Sequence, residues 1–155
     1  MHKLEVSTLT HKDPDLSLAG LSIWVHGWQF PNCDEFWDAN WLFCTARCVA
    51  NIARVEATGS FLHAPELESW LRQCETLAQT LSGKAALKPM EPTIRAEIAA
   101  QSPEHMLIQV ELTADHLTQK HWFEFDADQT HVTQLIVQLR TLLQKFPIRC
   151  HEKTT

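Results

Sequence analysis

Two segments each carry one apolar stripe at helical spacing, and neither can be stable without a surface to cover. In "APELESWLRQCETLAQTLSG" (64–83), Leu67, Trp70, Leu71, Cys74, Leu77, Ala78 and Leu81 fall on one face. Pro65 sits where a first turn needs no amide donor, Glu66 and Glu68 favour the N-terminal dipole, and Gly83 supplies a stop. In "DQTHVTQLIVQLRTLLQKF" (128–146) the stripe is Val132, Leu135, Ile136, Leu139, Leu142, Leu143 and Phe146. Asp126 or Asp128 caps that helix and Pro147 ends it.

The surface for both comes from segments of period two. "LSIWVHGW" (21–28), "TIRAEIA" (93–99), "HMLIQVELT" (105–113) and "KHWFEFD" (120–126) alternate apolar with polar or aromatic residues. "NWLFCTARCVANIARVEA" (40–57) reads as one long strand rich in small residues. Such alternation predicts an antiparallel sheet with one buried face. The expected fold is α+β, a two-layer sandwich: an antiparallel sheet of about five to six strands with two helices on one face. Its open face would carry Trp24, His26, Trp28, Trp41, Arg47, Arg95, Glu97, Glu111, Trp122 and Glu124. No segment repeats. Residues 1–147 form one domain and 148–155 a short polar tail.

Charge narrows the partners. The 155 residues include 13 basic and 19 acidic side chains, a net charge of −6. Phosphate contacts need the opposite sign, so nucleic acid is not the expected partner. No apolar run reaches membrane-spanning length and no secretory signal opens the chain, which reads as cytoplasmic, with no membrane partner. The five cysteines, an odd number without framework spacing, agree with a reducing compartment.

Catalytic sets are missing. There is no Cys-x-x-Cys and no His-Glu-x-x-His, so no metal is expected. Cys44 and Cys48 would lie about 13 Å apart along a strand, too far for one zinc, and suit small core positions. Only four glycines are present, and none forms a phosphate loop. No cofactor is implied. Cys33 stands beside Asp34, an acidic neighbour that does not favour a nucleophilic thiol.

The densest stretch is "PNCDEFWDANWL" (31–42). Asp34, Glu35 and Asp38 alternate with Phe36, Trp37 and Trp41, and Trp28 and Phe30 precede them. An aromatic and acidic ridge of this kind suits a protein interface, with anchors in the middle and charges that steer a basic partner. The expected partner-binding residues are Trp24, Trp28, Phe30, Asp34, Glu35, Trp37, Asp38 and Trp122. Asp38 and Asn40 also suit the turn entering the next strand, because their side chains bond nearby backbone.

The order of these features resembles the WapI-type immunity protein family, found beside bacterial polymorphic toxins. "DANWL" (38–42) enters a long strand, a "PELESWLRQCETL" helix follows, then "MEPTIRAEI" (90–98), two alternating strands and a final helix ending "LLQKFP". Asp38, Asn40, Trp41, Leu42, Glu91 and Pro92 carry the resemblance, which spans about 24–147. It implies a non-enzymatic cytoplasmic protein that binds and neutralises a cognate toxin, often a basic nuclease. Two other classes stay open. One is an adaptor subunit of a larger complex. The other is a small metal- or thiol-dependent enzyme using His26, Cys33 and Asp34.

Overall fold

The computed structural model describes residues 12–150. The chain runs β1 (Leu16–Leu18), β2 (Leu21–Trp28), α1 (Phe36–Ala39), β3 (Trp41–Ala50), β4 (Ala53–His63), α2 (Ala64–Thr80), β5 (Lys84–Leu87), β6 (Ile94–Ser102), β7 (His105–Leu112), β8 (Trp122–Ala127) and α3 (Gln129–Lys145). The class is α+β, but the strands form two four-stranded antiparallel sheets, β1-β2-β3-β4 and β5-β6-β7-β8. The expectation of one sheet of five to six strands is therefore corrected, and α1 is a third, single-turn helix. Alternation reports that a strand has one buried face, and not which sheet it belongs to.

Two local misreadings hid the second sheet. The long strand over 40–57 is a hairpin: Asn51 takes the left-handed conformation at φ 54° and β4 turns back along β3. Asparagine tolerates that conformation better than most residues, so the turn is placed there. β1 and β5, of three and four residues, are too short to show a period.

Each sheet is a meander followed by a helix, so the topology occurs twice although no residue pattern repeats. One core lies between the elements. Leu67, Trp70, Cys74 and Leu77 of α2 and Val132, Leu135, Leu139 and Leu142 of α3 join the inner faces of both sheets in it. β7 approaches β3 to within 8 Å between Cα atoms, closer than the roughly 10 Å of ordinary stacked sheets. The small buried residues Cys44, Ala46 and Cys48 on β3 permit this. Gly20 marks another close contact. A Cβ there would lie 2.1 Å from the Val49 carbonyl oxygen and 2.7 Å from Phe125 Cζ, so only glycine fits.

The outermost strands β1 and β5 are guarded alike. Gln138 Oε1 of α3 accepts the Ser17 amide at 2.8 Å, and Gln73 Oε1 of α2 accepts the Ala86 amide at 2.9 Å. Each glutamine satisfies an edge donor that would otherwise be open to another strand. Helix ends follow the expected chemistry. Asp128 accepts the Thr130 amide at 2.9 Å and Glu66 accepts the His63 amide at 2.8 Å.

Candidate partner-binding surface

The loop from Gln29 to Asn40 is held from behind by Arg149. Its guanidinium donates to the carbonyls of Phe30 (3.0 Å), Pro31 (2.8 Å) and Ala39 (2.9 Å from Nε). It also stacks on Trp28, 4.1 Å from the ring centroid. Asn40 is fully buried and completes the clamp. Its amide group donates to the Phe36 carbonyl at 2.7 Å and the Arg149 carbonyl at 2.9 Å, and its oxygen accepts the Arg149 amide at 2.8 Å. The planar fork of arginine places three separate nitrogens against three spaced carbonyls, a reach that the single ammonium nitrogen of lysine does not match. Residue 149 lies in the stretch read from sequence as a tail, and neighbouring Ile148 packs on the core.

His63 fixes the front of the loop. It is buried, and its Nε2 lies 2.8 Å from the Trp37 carbonyl oxygen. The rings of Trp37, Trp41 and Phe36 surround it at 5.1, 4.9 and 5.9 Å between centroids. Trp37 nevertheless remains 49% exposed. It overhangs a groove of about 420 Å³ lined by Pro65, Glu66, Ser69, Gln73, Lys88 and Met90 among others. Glu66 ties the groove together: one carboxylate oxygen accepts the His63 amide and the other the Met90 amide, at 2.7 Å. Burial raises the Glu66 pKa, and the two amide bonds act against that rise.

A second, smaller groove of about 150 Å³ lies on the outer face of the second sheet, bounded by Lys88, Arg95, Glu97, Gln109, Glu111 and Trp122. Cross-strand register builds it. Arg95, Glu111 and Trp122 stand in one row, and Glu97, Gln109 and Glu124 in the next. Trp122 is 51% exposed.

The expected site residues therefore divide. Phe30, Trp37 and Trp122 are exposed, as are Asp34, Glu35 and Asp38. Among the described residues, none of those three carboxylates makes an ion pair or side-chain hydrogen bond, so the expected turn-fixing role falls to Asn40 alone. Trp24 departs from the open face expected for it: it is only 3% exposed. Its Nε1 donates to the Lys12 carbonyl at 2.8 Å, and Arg47 covers the ring at 4.8 Å. Trp24 keeps regular pairing with Thr45 and is buried by this cover, while a β-bulge between Val25 and Gly27 breaks the alternation only beyond it. Trp28 is half-buried between Arg149 and Phe146, whose ring lies edge-on at 5.3 Å.

The residues of the enzyme reading are engaged separately. His26 Nε2 lies 2.8 Å from Thr45 Oγ1, which is bonded in turn to Thr58 Oγ1. Burial lowers the His26 pKa. Cys33 Sγ lies 4.0 Å from the Glu35 carbonyl oxygen. Among the described residues, no three His, Cys, Asp or Glu side chains converge on a metal-sized site. No described helix is long and apolar enough to cross a membrane.

Sequence reasoning missed His63, Lys88, Met90 and Arg149. For His63 the signal was available: Glu66 three residues later completes the pattern of a capped helix start. Arg149 offered none, since its partners are carbonyls more than a hundred positions away.

Comparison with known proteins gives a family match over residues 14–147, to the family described as "Immunity protein WapI-like family". No curated protein matches. Among solved structures, the chain is similar to one from the "CdiA-CT/CdiI toxin and immunity complex from Enterobacter cloacae", at 14% identity and a TM-score of 0.41. That match covers 65% of this chain and 89% of the other. It is also similar to WHY3 from Arabidopsis thaliana, at 10% identity, a TM-score of 0.46, and coverage of 84% and 83%.

Proposed function

The chain belongs to the WapI-like immunity protein family, and from that premise we propose that it is a non-enzymatic, cytoplasmic protein that binds and neutralises a cognate protein toxin. One observation carries the reading within the fold. A half-exposed tryptophan, Trp37, is locked in place beside carboxylates that make no ion pair among the described residues. Exposed aromatic anchors set among free charges are the usual ingredients of a binding hot spot. Trp37, Phe30, Asp34, Glu35, Asp38 and Trp122 make contact, while Trp28 supports the loop from behind through Arg149 and buried Trp24 takes no part. The partner is basic, and neutralisation works by covering the toxin's site or by presenting carboxylates where it expects phosphates.

Co-expression tests this. Where a toxin domain is encoded beside it, the chain should restore growth to cells producing that domain, and the pair should co-elute by size exclusion. Trp37→Ala combined with Asp34→Lys and Glu35→Lys should abolish protection while leaving the fold intact. Protection that survives this triple change would sink the assigned surface. An adjacent toxin domain that kills despite the chain would sink the function.

A further inference from the structure

We propose that the two grooves form one continuous docking face, on which a single basic protein surface seats astride the Lys88–Met90 ridge between Trp37 and Trp122. This rests on the toxin-binding reading and deepens it by naming where the partner sits and what chemistry it brings.

Continuity comes from shared walls. Ala86 and Lys88 line both grooves, so nothing separates them except the ridge itself. Met90 crowns that ridge at 66% exposure, adaptable apolar surface between two half-exposed indoles. Large apolar side chains exposed in a row are unusual on a surface without a partner.

The ridge and the Trp37 loop are both fixed in advance. Glu66 fastens Met90 to the start of α2, and His63 fastens Trp37 to the same place. A surface already held in shape loses little freedom on association.

Charge selects the occupant. Asp34, Glu35 and Asp38 flank one end, and Glu97, Glu111 and Glu124 stand at the other. Against them are Lys84, Lys88 and Arg95, of which Lys84 is paired with Glu97 at 3.3 Å. Phosphates would meet repulsion here, which disfavours nucleic acid. A second copy would set the same acidic face against itself, because a twofold contact uses one patch twice. A Lys or Arg side chain satisfies the smaller groove. It would stack on Trp122 and reach the Glu111 carboxylate, which stands directly across the strand pair and has no ion pair among the described residues.

The test needs no toxin. Octa-arginine peptide is titrated into the isotope-labelled full chain at low salt and amide and indole signals are followed, with octa-glutamate as the charge control. Perturbations should gather at both grooves, on Ala86–Met90, Arg95–Glu97, Gln109–Glu111 and the indoles of Trp37 and Trp122. Trp122→Ala with Glu111→Gln should weaken binding by about tenfold, and Trp37→Ala should weaken it too. Both tryptophans are half exposed, so their variants stay folded, which unchanged melting verifies. Perturbations confined to one groove, or spread over α3 and the first sheet, overturn the proposal. So do variants that bind as wild type, or a dimer by light scattering that buries this face. The co-expression assay fails independently: a chain that binds the peptide at both grooves yet protects against no toxin leaves the face standing and removes the immunity reading.

Discussion

Asn40 and Arg149 are 109 positions apart and hold each other by two hydrogen bonds, amide nitrogen to carbonyl at 2.9 Å and amide to side-chain oxygen at 2.8 Å. The exposed loop between Gln29 and Asn40 owes its shape to this pair. Rigidity at the proposed contact surface is thus supplied from the last described residues of the chain.

Breaking the pair should cost stability as well as shape. Asn40→Ala leaves the Phe36 and Arg149 groups buried without partners, a loss of about 2–3 kcal/mol. Arg149→Lys should recover little of the effect of Arg149→Ala, because one nitrogen cannot span three carbonyls that three guanidinium nitrogens reach separately. Urea unfolding of the three variants checks this, and a lysine variant as stable as wild type would contradict it.

The indoles should separate by burial. Trp24→Ala should destabilise the fold by about 3 kcal/mol, since a large buried side chain and the cover over it lose their contacts. Trp37→Ala and Trp122→Ala should stay within about 0.5 kcal/mol of wild type, as exposed positions do. Thermal melts of the three rank them directly.

Acid should weaken the fold through His26. Burial, and then Lys12 nearby, depress its pKa below 6.5 in the folded chain. The neutral ring is the form the fold accepts, with Nδ1 buried and without a hydrogen-bond partner among the described residues. Its contribution is therefore present above the unfolded pKa and lost as pH falls through the folded one. Melting temperature should drop between pH 7.5 and 5, and drop less in His26→Gln, which keeps a donor for Thr45. Parallel curves for the two proteins would remove His26 as a cause.

Thiol chemistry should count the core. Burial pushes Cys44 and Cys74 up to about 12 and Cys48 up to about 11. Cys33 is half-buried and Cys150 exposed. A disulfide reagent should titrate two thiols quickly and the other three only after denaturation. Fast reaction of all five would place the small cysteines of β3 outside the core.

The edges should reveal what the glutamines do. Replacing Gln73 and Gln138 together by Ala frees the Ala86 and Ser17 amides on two outermost strands. Concentration-dependent aggregation, read by light scattering, should follow with little change in the melt of dilute protein.

Sequence carried the long elements well. Leu67 to Leu77 and Val132 to Leu142 gave both helices within a few residues, and the alternation of Met106, Ile108, Val110 and Leu112 gave β7. It failed where geometry departs from a single period. The Asn51 hairpin, the bulge after Val25 and two strands of three and four residues each break or fall short of one repeat. At the proposed contact surface, Trp37 and Trp122 were legible as aromatics among acids. Their joining through Lys88 was not, because it depends on how β5 lies beside α2.

The doubled meander has one more consequence. α2, which ends the first half, guards the opening strand of the second, and α3, which ends the second, guards the opening strand of the first. Each half thus lends its helix to the other, as two hands clasp wrists. A backbone cut at Ser82 would release no independent lobe. It would leave two fragments bound as a heterodimer, each needing its counterpart to close an edge and bury a helix.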